Sequence, residues 1–203
     1  MSAPTKIQLS TFEKELLNNP GWILTKNHII KKAQELFGAV QENISDYTKT
    51  NAKIFPAEVI TISPKISKGE NYLGLPWLML DYPRYFDKEN IFAIRTMFWW
   101  GNFFSTTLHL SGKYKELHSK NLINNFEELK KNEFYICVNE DQWQHHMEDE
   151  NYKSVKEFSE KDFEKLIGKG SFIKLTKKLS LSHWDNAIQI LSDEFVQITK
   201  WLN

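Results

Sequence analysis

Residues 96–112 read TMFWWGNFFSTTLHLSG, with five aromatic side chains in the seven positions from Phe98 to Phe104 around a single Gly-Asn pair. Large residues alternate with small or polar ones on both sides of that pair, as strands with one buried face do. Gly101-Asn102 is the expected two-residue turn of a hairpin. Pairing about it sets Trp100 against Phe103, Trp99 against Phe104 and Ile94 against His109. One face then carries Met97, Trp99, Phe104, Leu108 and Leu110, with Arg95 the misfit, and is expected to be core beneath a helix layer. The other carries Thr96, Phe98, Trp100, Ser105, Thr107 and His109. Large rings beside hydroxyls and one imidazole are the composition of a ligand pocket, and equally of a partly solvated sheet face whose hydroxyls satisfy one another.

Outward from the hairpin the pattern is mixed. Ser10 and Glu13 have capping-box spacing ahead of a first helix that NNPG ends. From Lys26 to about Tyr47, Ile30, Ala33, Phe37, Val40 and Ile44 recur at steps of three and four, predicting a long helix. Ile60, Ile62 and Ile66 alternate with polar residues from residue 57 on and predict a strand. Residues 71–83, NYLGLPWLMLDYP, are apolar on both parities and predict a strand buried on both faces. SKNLINNFEELKK reads as a short helix and EFYICVN as a strand. SEKDFEKLIGKG is a helix capped at Ser159 and stopped at Gly168. FIKLTKKLSL is a strand with lysines on its wet side. A final helix from about Ser182 lines up Trp184, Ile188, Leu191, Phe195 and Ile198. The order predicts one α+β domain over residues 1–203, a mostly antiparallel sheet covered by N-terminal helices and a long C-terminal helix.

Composition narrows the partners. Twenty-six basic residues balance twenty-six acidic ones over 203 residues, so net charge gives no drive toward nucleic acid or an anionic membrane, and neither is expected as a partner. The single cysteine, Cys137, excludes an internal disulfide and reads as a small apolar residue in a strand. No apolar run is long enough for a membrane helix and the first ten residues lack a signal-peptide core, so a reducing cytoplasm is the expected location.

Three groupings hold residues that could carry chemistry. WQHHMEDE, residues 143–150, aligns His146, Glu148 and Glu150 if extended, or His145 and Asp149 if helical. Neither matches an established metal signature, and the run reads as a solvated connection, so no metal site is expected. DYPRYFDKE, residues 81–89, places Arg84 among aromatics, where its planar fork could hold a carboxylate or phosphate, or simply fix an ion-paired loop. Ser105, Thr107 and His109 alternate on one strand, roughly 7 Å apart for neighbours two positions apart, too far for a serine–histidine nucleophile pair. No phosphate loop, dinucleotide fingerprint, nucleophile elbow or zinc spacing appears, so no cofactor can be named.

LLNNPGW (16–22) ahead of a long helix, PRYFDKENIF (83–92) leading into strands and SFIKLTKKLSL (171–181) before a C-terminal helix resemble a family of bacterial proteins known only as a domain of unknown function. That resemblance implies a fold more than an activity. The functional expectation is a small anionic or aromatic ligand bound by Arg84, Thr96, Trp100, Ser105, Thr107 and His109. An interaction module exposing aromatics, or an enzyme gathering Arg84, His109 and Asp81 or Glu70, are the alternatives.

Overall fold

The computed structural model describes residues 7–202. Seven strands form one antiparallel sheet in the order β1-β2-β3-β4-β7-β5-β6, with β1 Lys65–Tyr72, β2 Leu75–Phe86, β3 Ile91–Trp99, β4 Phe103–Ser111, β5 Tyr135–Cys137, β6 Tyr152–Ser154 and β7 Phe172–Ser180. Helices α1 (Thr11–Leu17), α2 (Pro20–Thr50) and α3 (Ala57–Ile60) precede the sheet; α4 (Lys113–Asn124) and α5 (Phe126–Lys131) follow β4; α6 (Glu160–Lys169) precedes β7, and α7 (Ala187–Lys200) follows it. The fold is α+β, as the element order predicts.

The apolar stripe of α2 explains its seat. Ile30, Ala33, Phe37, Val40 and Ile44 are buried, and this stripe packs with α7, whose Leu191, Phe195 and Ile198 close the same layer. Each fully buried side chain of this size contributes roughly 1.5–3 kcal/mol by leaving water. Beneath them the sheet offers Leu78, Leu80, Phe92, Ile94, Phe98, Phe104, Leu108 and Leu110.

That list corrects the hairpin. Trp99 pairs with Phe103 and Phe98 with Phe104, so three residues, Trp100 to Asn102, lie in the turn, and Gly101 takes φ +72°. The expected register was one residue out, and a one-residue slip turns one strand over relative to the other. Phe98, Ile94 and Thr96 therefore lie on the helix face with Phe104 and Leu108. Met97 and Trp99 lie on the far face with Ser105, Thr107 and His109. Trp100 packs on the helix side against Phe98, ring centroids 6.3 Å apart.

Smaller differences have local causes. Asn19 caps α2 through the Gly21 amide and Pro20 occupies its first turn, so NNPG opens α2 as well as ending α1. Residues 57–60 form a helical turn and β1 begins only at Lys65. SKNLINNFEELKK spans two helices broken at Asn125. Helix α6 runs past Gly168 to Lys169 and stops at Gly170. Residues 181–186 are a 3₁₀ turn with a kink at His183, which changes the phase of α7 so that Ala187 is buried and Ile188 exposed. No helix among the described residues is long and apolar enough to cross a membrane.

Candidate functional site

On the far face, Asp81, Arg95, Thr107 and Thr176 form one cross-strand row, and Arg84, Ala93, His109 and Lys174 the next. A row this polar would be expected in water. It is buried instead, because the fourteen residues between β5 and β6 fold back across it. This connection is the WQHHMEDE region read as solvated.

The connection is fastened at both ends. Asn151, fully buried, accepts from the Val138 amide through its main-chain oxygen and donates from Nδ2 to the His146 carbonyl. At the far end the Tyr72 hydroxyl accepts from the amides of His145 at 2.6 Å and His146 at 3.1 Å, while its ring packs on Trp99 at 5.3 Å. In the middle, the Lys174 ammonium donates to the main-chain oxygens of Gln142 at 2.9 Å and Gln144 at 2.5 Å and lies 5.4 Å from the Tyr152 ring. Trp143 closes over His109, centroids 5.6 Å apart, and over Phe86.

Two cationic side chains sit in this enclosure with different partners. Arg95 forms a two-pronged pair with Asp81, Nε to Oδ1 at 2.6 Å and Nη2 to Oδ2 at 3.2 Å. Lys174, fully buried, pairs with no carboxylate among the described residues. Burial pushes its ammonium down to about 7; Cys137 acts the other way, the Arg95 charge adds to the fall, and Asp141 opposes it. Asp141 commits its oxygens to the Trp143 amide and the Gln144 side chain. Burial, then the Lys174 charge, pushes His109 down to about 3, and His145 is lowered by the same two causes. Both imidazoles are neutral at pH 7. Burial raises the Cys137 thiol, so it is not a ready nucleophile.

His109 holds an unmet contact. Its Nε2 meets Gln142 Oε1 at 2.9 Å, but Nδ1, buried, has no hydrogen-bond partner. An unmade bond of this kind costs about 1–3 kcal/mol. Turning the Gln142 amide over would make Nδ1 the donor instead of the acceptor, so the ring can meet either kind of ligand group.

Beside this enclosure lies a groove of about 710 Å³, walled by Cys137, Phe158, Lys165, Leu166, Lys169 and Phe172. It opens where β5 parts from β7: their pairing ends at Ile136 and Leu175, while β5 stays paired with β6 through Cys137 and Tyr152. Its volume falls within the roughly 300–1,000 Å³ of small-molecule sites. Lys165 and Lys169 on its walls are balanced by Glu140 and Asp162. One wall meets the cationic enclosure, since Phe172 packs on His109 with centroids 6.0 Å apart, while Ile173 lines the groove from the opposite face of β7 to Lys174.

The six expected ligand residues divide. Ser105, Thr107 and His109 share the far face, and Thr107 bonds Thr176 at 2.8 Å. Arg84 lies on the same face two strands from His109, roughly 10 Å away by strand spacing, and its Nε donates to the Ser63 carbonyl at 2.9 Å. Thr96 and Trp100 are on the helix side, Thr96 paired across the strands with Thr106, which donates to buried Glu194 at 2.8 Å. The acids grouped with Arg84 and His109 are engaged elsewhere: Asp81 with Arg95, Glu70 with Lys26 at 2.6 Å. No cluster of three or more His, Cys, Asp or Glu among the described residues has metal-binding geometry.

Lys174, Tyr72, Asn151 and Gln142 went unread in the sequence. A connection of fourteen residues between two three-residue strands was itself a signal, since long connections in compact domains are commonly functional. No family model, curated protein or solved structure matches the chain. What it does must be read from its own residues.

Proposed function

We propose that this chain is a binding domain for a small ligand with an aromatic or apolar body and an anionic end. The body would lie in the groove against Leu166 and Phe172, and the anionic end would displace the loop carbonyls from Lys174. One observation carries the reading: a fully buried lysine without a carboxylate partner among the described residues lies in an enclosure that adjoins, through Phe172 and His109, a groove of small-molecule size. Charge burial of this kind costs several kcal/mol unless it is compensated, and a bound anion compensates it. Neutral His109, with Nδ1 free, and the Thr107–Thr176 hydroxyl pair add polar groups that fix orientation. A reducing, cytoplasmic setting is part of this reading and is consistent with the one free, buried thiol.

The test uses 1-anilinonaphthalene-8-sulfonate, an aromatic anion whose fluorescence rises on burial. The native protein should bind it at one site, Leu166→Trp should fill the groove and abolish that site, and Lys174→Met should weaken it at least tenfold at pH 6.5. Binding left unchanged by both substitutions contradicts the proposal, as does no saturable binding.

A further inference from the structure

From residue 7 to residue 29 the N-terminal helical hairpin buries no side chain fully, although it is well built. Ser10 and Glu13 form a reciprocal capping box on α1, Asn19 caps α2, and Trp22 Nε1 on α2 donates to the Leu16 carbonyl of α1 at 3.1 Å. These local bonds define the hairpin without help from the core. The stripe that α2 presses on the sheet starts at Ile30, so residues 20–29, about 15 Å of helix, extend past the core with none of them buried, tied to β1 through the Lys26–Glu70 ion pair.

Most of the exposed large apolar side chains among the described residues are gathered here. Ile7 and Leu9 precede α1, Phe12 (66% exposed) and Leu17 (73%) lie on it, and Trp22, Ile23 and Leu24 (63%) start α2. Together they expose on the order of 800 Å² of mainly apolar surface, spread around both helices rather than on one face, comparable to the share that each partner contributes to a standard interface.

We infer that this hairpin is a dimerisation surface whose occupant is the same hairpin of a second copy. Charge decides between occupants. From residue 7 to residue 29 the ionisable side chains are Glu13, Lys14, Glu15, Lys26 and His28, with Lys26 held by Glu70, so the acids and lysines balance and the surface offers no basic cluster to an anionic lipid surface and no complementary field for a strongly charged partner. An apolar surface of this extent with balanced charge has the character of homodimer interfaces, which are more apolar than transient ones. Two copies related by a twofold axis would bury the patch symmetrically and close the assembly at two.

Sedimentation equilibrium of the full chain decides it. The native protein should sediment with twice the 24.0 kDa chain mass, and Phe12→Glu/Leu24→Glu should raise the dissociation constant by at least about 100-fold with an unchanged far-UV spectrum. Leu117→Glu, at an exposed apolar position on α4, should leave the dimer intact. Should the double Glu variant lose its helical signal, Phe12→Ser/Leu24→Ser gives the same readout. A monomer at 100 micromolar native protein overturns the inference. So does a dimer indifferent to the hairpin substitutions, or one lost equally in Leu117→Glu.

Discussion

His109 and Lys174 are direct cross-strand partners on β4 and β7, both fully buried, and each holds the same residue of the covering connection: His109 meets the Gln142 side chain and Lys174 its main-chain oxygen. Two bases that would ordinarily carry charge in acid thus share an enclosure that disfavours charge.

Acid sensitivity follows. The unfolded chain protonates His109 near 6.5, whereas the folded chain resists until about 3, so between those values the unfolded state holds more protons and stability falls as pH falls. His145 and His118, both lowered chiefly by burial, act in the same direction. Urea unfolding between pH 6.5 and 5, above the ordinary carboxylate range, should show this loss, and His109→Gln should make it shallower. A native profile flat over that window would contradict the neutral burial of these rings.

Asp81 and Arg95 form a buried ion pair whose side chains are 10% and 7% exposed. Asp81→Asn leaves Arg95 charged and unmatched and should cost about 3–5 kcal/mol, while Asp81→Leu/Arg95→Met should cost much less, because apolar replacement removes both desolvation penalties. Chemical denaturation of the two variants checks the order.

Tyr72 fastens the connection by accepting two main-chain amides through one oxygen. Tyr72→Phe keeps the ring on Trp99 and deletes that oxygen. Hydrogen exchange at the amides of His145 and His146 should quicken at least tenfold, with β3 and β4 still protected. Equal exchange in both proteins would mean that Lys174 and Asn151 hold the connection unaided.

Trp99 and Trp100 lie on opposite sides of the sheet, as alternation alone requires. Trp99→Ala should cost about 3–5 kcal/mol, since Trp99 is 7% exposed, packs with Met79, Met97 and Phe103, and donates from Nε1 to the Tyr72 carbonyl. Trp100, half-buried, should cost less. Two denaturation curves compare them.

The elements that rest on local patterns are readable in the sequence: the α2 stripe from Ile30, the Ser10 and Ser159 caps, and the alternation of β7. The Trp99–Phe103 register is not, because a Gly-Asn pair serves a two-residue or a three-residue turn equally and the residues on both sides are aromatic whichever way they pair. Of the site, Ser105, Thr107 and His109 could be placed on one face by alternation. Lys174 reads as a solvated strand lysine, since nothing local announces that residues 138–151 will cover it. Arg95 was visible as a misfit among apolar neighbours, but its partner Asp81 is set by a sheet register that short-range patterns do not contain.

The ammonium of Lys174 reports most directly on the account of the site. Its pKa can be followed through the ¹³Cε shift of labelled lysine, with and without saturating 1-anilinonaphthalene-8-sulfonate and with Lys174→Met for assignment. The account predicts a value near 7 in the free protein against the ordinary 10.5, and a rise of at least one unit when the anion binds, because a bound negative charge favours the charged form. A free-protein value near 10.5, or a depressed value that binding leaves unmoved, would contradict it.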